Sequence, residues 1–167
     1  MPMPMNKGAK IVINQWCRVK PGEKVLIISD DTHVKESIAL WKATQDAQAT
    51  PAMITIPEDC TQPGLMFDSL LGFFLHHDLV IGATNFSLIT TNAVRELLQN
   101  GRRFLSLPLA TNNNHSILSF DFLQMDPQQA EELSRGMIEA LYKAQTIHVT
   151  TELGTCLLYT SDAADEL

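Results

Sequence analysis

Five short apolar runs, separated by segments with helical spacing, constrain this chain more than any other feature of its sequence. They are Lys24–Ser29, Ala52–Ile56, Asp78–Gly82, Arg103–Leu107 and Thr146–Thr150. Within each, apolar residues are continuous more than alternating, as expected of strands with helices over both faces. Between them, Ala9, Val12 and Trp16 mark a first helical stripe, and Val34, Ile38 and Trp41 a second. Ala93, Val94, Leu97 and Leu98 mark another, closed by Asn100-Gly101 as a left-handed cap. The last helix has the clearest start, with Asp126 as N-cap, Pro127 at N1 and Gln129 at N3. Its stripe runs Ala130, Leu133, Met137, Leu141 and Ala144.

Such alternation predicts an α/β fold: a doubly wound, flavodoxin-like or Rossmann-like, mostly parallel five-stranded sheet with helices on both faces. Two stretches are harder to read. Glu58 to His77 reads as a loop with a helix over Leu65 to Leu75, interrupted by Gly72. Thr111 to Gln124, with three successive asparagines, reads as a loop.

Residues 156–167 stand apart. Cys156-Leu-Leu-Tyr-Thr-Ser-Asp-Ala-Ala-Asp-Glu166 back-translates, with ordinary codons, into a string that resembles a transposon-type sequencing adapter. The expectation is an amino-terminal α/β domain over residues 1–155, cut from a larger enzyme, and a non-native tail over 156–167. Removing Asp162, Asp165 and Glu166 from the 19 acidic residues leaves 16 against 12 basic, a net charge of −4 in place of −7. That balance carries no basic footprint for nucleic acid and no attraction to an anionic membrane. Cys17 and Cys60 alone make no disulfide framework, so a reducing, cytoplasmic location is expected.

Ligands of open α/β sheets gather outside the carboxyl ends of the strands. The first such edge here is Ser29-Asp30-Asp31-Thr32-His33, with two carboxylates, a hydroxyl and an imidazole in five residues. Asp30, Asp31, Thr32 and His33 could face a metal or a polar substrate. The structural reading is favoured: Asp31 or Thr32 caps the following helix, and Asp30 sits beside its positive end. Thr84 and Asn85, in Gly82-Ala-Thr-Asn85, could offer amides to an anion or could simply end a strand. His76-His77 lacks the spacing of three or four that brings two rings to one ion, and fits a helix end favouring positive charge. Cys17 fits a packed, inert thiol. Neither Gly-x-Gly-x-x-Gly, nor a phosphate loop, nor Gly-x-Ser-x-Gly occurs. The residues leave open a self-contained domain binding a small anion or nucleotide.

Three stretches resemble the amino-terminal domain of the aminopeptidase T-like metallopeptidases, a family related to leucyl aminopeptidase-like and dihydroxypyridine dioxygenase-like proteins. They are Val19-Lys-Pro-Gly-Glu-Lys-Val-Leu-Ile-Ile-Ser-Asp-Asp31; Asp78-Leu-Val-Ile-Gly-Ala-Thr84 with Thr91 and Gly101-Arg-Arg-Phe-Leu-Ser-Leu-Pro108; and Val149-Thr-Thr-Glu-Leu-Gly-Thr155. The likeness spans about Gly8 to Thr155. It departs at Thr50-Pro51, where relatives commonly show Gly-Ala, and in lacking their Pro-Pro before the Leu65 helix. The resemblance implies a parent with divalent metal (zinc, cobalt or iron) whose Glu, His and Asp ligands lie in a missing carboxy-terminal catalytic domain. It also implies a homodimeric parent, or instead a ring-opening iron dioxygenase parent. For this fragment it implies no catalytic residue, no metal site and no cofactor.

Overall fold

A computed structural model of the chain describes residues 3–58, 63–85, 87–107 and 115–159. It divides into two compact units, Met1–Gln124 and Met125–Leu167.

The first unit opens with α1 (Met5–Ile11), which widens into a π-helical turn over Val12–Trp16. Pro21 and Gly22 then form a turn closed by the Glu23 amide donating to the Lys20 carbonyl. Gly22 has φ of 84°, the left-handed value that such a turn asks of its third residue. The chain continues through β1 (Lys24–Asp30), α2 (Val34–Asp46), β2 (Thr50–Ile56), α3 (Pro63–Ser69) and α4 (Leu71–Leu75). β3 (Leu79–Ala83), α5 (Asn92–Gln99), β4 (Arg103–Ser106) and 3-10 turns at Ile117–Ser119 and Asp121–Gln124 complete it. The four strands make one parallel sheet in the order β2-β1-β3-β4.

Alternate residues of each central strand feed opposite layers, as the two-residue strand period requires. Val25, Ile27, Leu79, Ile81 and Ala83 join α1, the π turn and α2 in one apolar cluster. Leu26, Ile28 and Val80 join Phe67, Phe74, Leu88, Val94 and Leu97 in the other. Each fully buried aliphatic side chain contributes about 2 kcal/mol, so the continuous apolar runs of β1 and β3 hold both layers at once.

Several expectations are met locally. Gly101, at φ 72°, follows Asn100 at the end of α5. Asp126 caps α6 (Pro127–Lys143) by accepting from the Gln128 amide at 2.8 Å.

Others are corrected. The sheet has four strands: β5 (Thr146–Thr151) lies in the second unit and pairs antiparallel with β6 (Gly154–Tyr159). Only Glu152 and Leu153 separate them, and closing so short a loop costs far less entropy than recruiting a distant edge. Residues 156–159 supply four of the six positions of β6. β2 begins at Thr50 and includes Pro51, which an edge strand tolerates because one side of it needs no N–H donor. The helix expected over Leu65 to Leu75 is two helices, broken at Leu70.

In α2 the buried residues include Ser37, Ala39, Leu40, Ala43 and Thr44, while Ile38 is 41% exposed. Small residues let this helix approach the sheet, so the expected Val34–Ile38–Trp41 stripe lies beside the buried face. The α6 stripe is likewise not buried, with Leu133 and Met137 exposed. Cys60 and the asparagine run 112–114 lie outside the described residues. Among those described, no helix is long and apolar enough to cross a membrane.

Candidate functional site at the β1–β3 switch point

In the order β2-β1-β3-β4 the chain goes one way from β1 to β2 and the other way to β3. That reversal opens the crevice where doubly wound sheets take ligands. All six candidate residues lie at or beside it. Asp30 ends β1; Asp31 and Thr32 form the turn after it; His33 is the N-cap of α2; Thr84 and Asn85 follow β3.

The structure gathers three of the other five, Thr32, His33 and Asn85, around the carboxylate of Asp30. Asp30 is 2% exposed. Its Oδ1 accepts from the Thr32 hydroxyl at 2.7 Å, the His33 ring Nδ1 at 2.8 Å, and the amides of His33 and Thr32 at 3.0 and 3.1 Å. Its Oδ2 accepts from the Asn85 amide at 2.6 Å. The loop after β3 does present an amide to an anion, and the anion is the chain's own Asp30.

A carboxylate with two oxygens and five donors is fully engaged in holding the turn, α2 and the β3 loop together. Burial pushes the Asp30 carboxyl up, but the bonds from Thr32, Asn85 and His33, with the His33 charge, outweigh it. The group is held below its ordinary range.

The helix start therefore differs from expectation. Neither Asp31 nor Thr32 caps α2; the N-cap is His33 and receives no side-chain cap bond. Asp30 reaches forward to the turn amides instead, because it alone is buried beside them. Asp31 Oδ1 accepts from the Glu58 amide at 3.0 Å, just past β2. Glu58 Oε1 in turn accepts from Asn85 Nδ2 at 2.7 Å. Thr84 is buried at the same edge.

Reading the sequence missed Glu58, although a polar residue just past the end of the neighbouring strand was the available signal. It also missed Ser37, whose hydroxyl donates to Ser29 at 2.8 Å and fastens α2 to β1.

A depressed carboxyl ties stability to pH with a definite sign. Asp30 stabilises the fold fully above its unfolded value near 3.8, and that contribution disappears as pH falls through the lower folded value. Urea midpoints followed from about pH 5 down to about pH 2 should fall less steeply for Asp30→Asn than for wild type. Parallel curves would contradict the assignment.

The remaining candidates lie elsewhere. His77 sits just before β3, at the opposite end of the sheet, with Nδ1 donating to the Phe73 carbonyl at 3.0 Å. Its burial lowers its pKa, only partly opposed by that bond, so it favours the neutral ring and not the positive charge expected of it. Cys17 is buried and its thiol is pushed up to about 12 by burial, against the pull of nearby Arg103. It is inert, as expected. His115 and His148 are both exposed. Among the described residues no three His, Cys, Asp or Glu side chains come together as a metal site requires.

No family model matches the chain, and no curated protein matches it. Among solved structures, it is similar to wild-type AmpT from Thermus thermophilus, at 10% identity and a TM-score of 0.49. That likeness covers 86% of this chain, which spans half the length of the other. It is also similar to a structure described as an enoyl reductase domain of polyketide synthase, at 14% identity and a TM-score of 0.41. There it covers 83% of this chain and 93% of the other. At these scores nothing about the chemistry of this chain rests on either likeness.

Proposed function

We propose that this chain is the amino-terminal scaffold domain of a metal-dependent, aminopeptidase-like enzyme. The observation that carries the reading is where the resembling stretches fall. Val19–Asp31 supplies the lead-in turn and β1; Asp78–Thr84 supplies β3; the stretch from Gly101 supplies β4. These are neighbouring strands of one sheet, two of which end at the switch point, while the third resembling stretch, Val149–Thr155, falls in the β5–β6 hairpin of the second unit. The part of the likeness in β1, β3 and β4 falls on adjoining core strands, which constrains a domain more than one scattered through loops.

By this reading the domain contributes a framework and one wall of a cleft. A divalent metal pair in the parent would activate water and polarise a scissile carbonyl. The ligand positions for that pair have no counterpart in this chain, so no catalytic step is assigned to its residues. The Asp30 clamp has a scaffold role here: it fixes the β1 and β3 ends that would border the cleft.

The decisive experiment is to sequence the source DNA across the codons for Thr155 and Cys156. The expected continuation encodes the family's Glu, His and Asp ligands, and the completed enzyme releases leucine from a leucyl chromogenic substrate when given divalent metal. The 167-residue chain alone should show no such release. Metal-dependent release by this chain would refute the scaffold role, and ring opening of a dihydroxypyridine by the completed protein with ferrous iron would assign the dioxygenase parent instead.

A further inference from the structure

Helix α6 is amphipathic, yet none of its residues is buried. Leu133, Met137 and Leu141, spaced four apart, form one apolar row, and Ile138 and Tyr142 belong to the row beside it. All five are exposed, Leu133 and Met137 at 67% each. Ile138, Leu141 and Tyr142, with Ala144, line a groove of about 510 Å³. A helix of 17 residues is marginal in water on its own and draws its stability from packing its apolar face. The face of α6 therefore calls for an occupant.

The charges beside the apolar rows say which occupant fits. Glu131, Arg135, Glu139 and Lys143 form the next row at the same spacing and alternate in sign along the helix. Within the helix, Arg135 pairs with Glu131 at 2.9 Å. Reversed end to end, the row carries the opposite sign at every position. A second α6 laid antiparallel, with a two-fold axis at Met137, sets Glu131 beside Lys143 of the other copy and Arg135 beside Glu139. Leu133 then falls opposite Leu141, and Met137 meets itself. Such self-complementarity is what a two-fold interface requires. In a parallel pair each charge would meet its own sign. On the other flank, nothing lies within 4 Å of a Cβ at Gly136, which leaves room for close approach.

A lipid surface suits the helix less well, because α6 carries three acidic residues against two basic, where lipid-seeking helices are rich in Lys and Arg. We infer that α6 pairs antiparallel with α6 of a second copy of this chain, about a two-fold axis at Met137. This rests on the pattern of α6 alone and is independent of the scaffold reading. One helix from each copy makes an interface at the small end of specific ones, so the dimer should be weak and concentration-dependent.

Sedimentation equilibrium of the full 167-residue chain, from about 1 μM to about 500 μM, should show its mass rise from one chain to two. Met137→Glu sets two carboxylates against each other at the axis and should weaken the dimer about a hundredfold, with the Asn85 amide still protected as a sign of folding. Lys143→Glu or Glu131→Lys alone should weaken it about fivefold, since each brings like charges together twice. An equal mixture of those two variants should associate as well as wild type, because opposite charges meet again. A chain that stays monomeric throughout overturns the inference, whatever then covers the face, and so does a monomer that binds phosphatidylcholine vesicles instead. A dimer as tight in Met137→Glu as in wild type overturns it because α6 is then not the interface. A dimer unmoved by either charge reversal overturns it because the helices then do not run antiparallel.

Discussion

Replacing Asp30 by alanine should cost about 3–5 kcal/mol of stability, because it strands donors that a buried carboxylate had satisfied. Five donors from Thr32, His33 and Asn85 lose their acceptor together. Thr32 lies close enough to solvent for water to replace part of the loss, which keeps the figure well below the sum of five separate penalties. For a unit of this size the melting temperature should fall on the order of 10 °C or more. The Asn85 amide should also lose its protection against hydrogen exchange, since its bond to Asp30 is what ties the β3 loop to β1. Asp30→Asn keeps one acceptor oxygen and should cost less. A loss under about 1 kcal/mol for the alanine variant would mean that the switch point is held by other contacts.

The second large effect is expected at a position that carries no chemistry. A Cβ added to Gly8 would lie 1.8 Å from the Leu118 carbonyl oxygen and 2.7 Å from its carbon. Both are backbone atoms, which cannot rotate away. Helix α1 packs there against the 3-10 turn Ile117–Ser119, and the Met3 amide donates to the Ser119 carbonyl at 2.9 Å. Gly8→Ala would gain about 1 kcal/mol in helix propensity, yet displacing the turn should leave a net loss of about 3 kcal/mol. Gly72, in α4, is the control: nothing lies within 4 Å of its missing Cβ, so Gly72→Ala should be neutral or slightly stabilising. Denaturant midpoints of the two variants decide it, and a Gly8→Ala protein as stable as wild type would show that α1 does not need this close approach.

The two positions were unequally legible. Asp30 was visible as a polar residue at a strand end, and the rule that ligands gather there picked out it, His33 and Asn85. What could not be read was that these residues answer one another. The carboxylate of Asp30 and the amide of Asn85 are separated by 55 positions and meet at 2.6 Å. Gly8 gave no sign at all, because a glycine inside a helix looks the same whether open space or a carbonyl faces it.

By itself, the sequence determined the α/β class, the four sheet strands and the local stops and starts at Pro21-Gly22, Asn100-Gly101 and Asp126-Pro127. Those features depend on backbone angles and on neighbours within a turn, which residue type and spacing report directly. Only the tertiary structure decided that Asp30 is a clamp already filled by its own chain, that small residues give α2 its buried face, and that β5 pairs with β6 instead of extending the sheet. Each of those depends on which distant atoms come within bonding distance of a polar group or a strand edge. A burial pattern says that an edge or a carboxylate must be satisfied, but it does not say by whom.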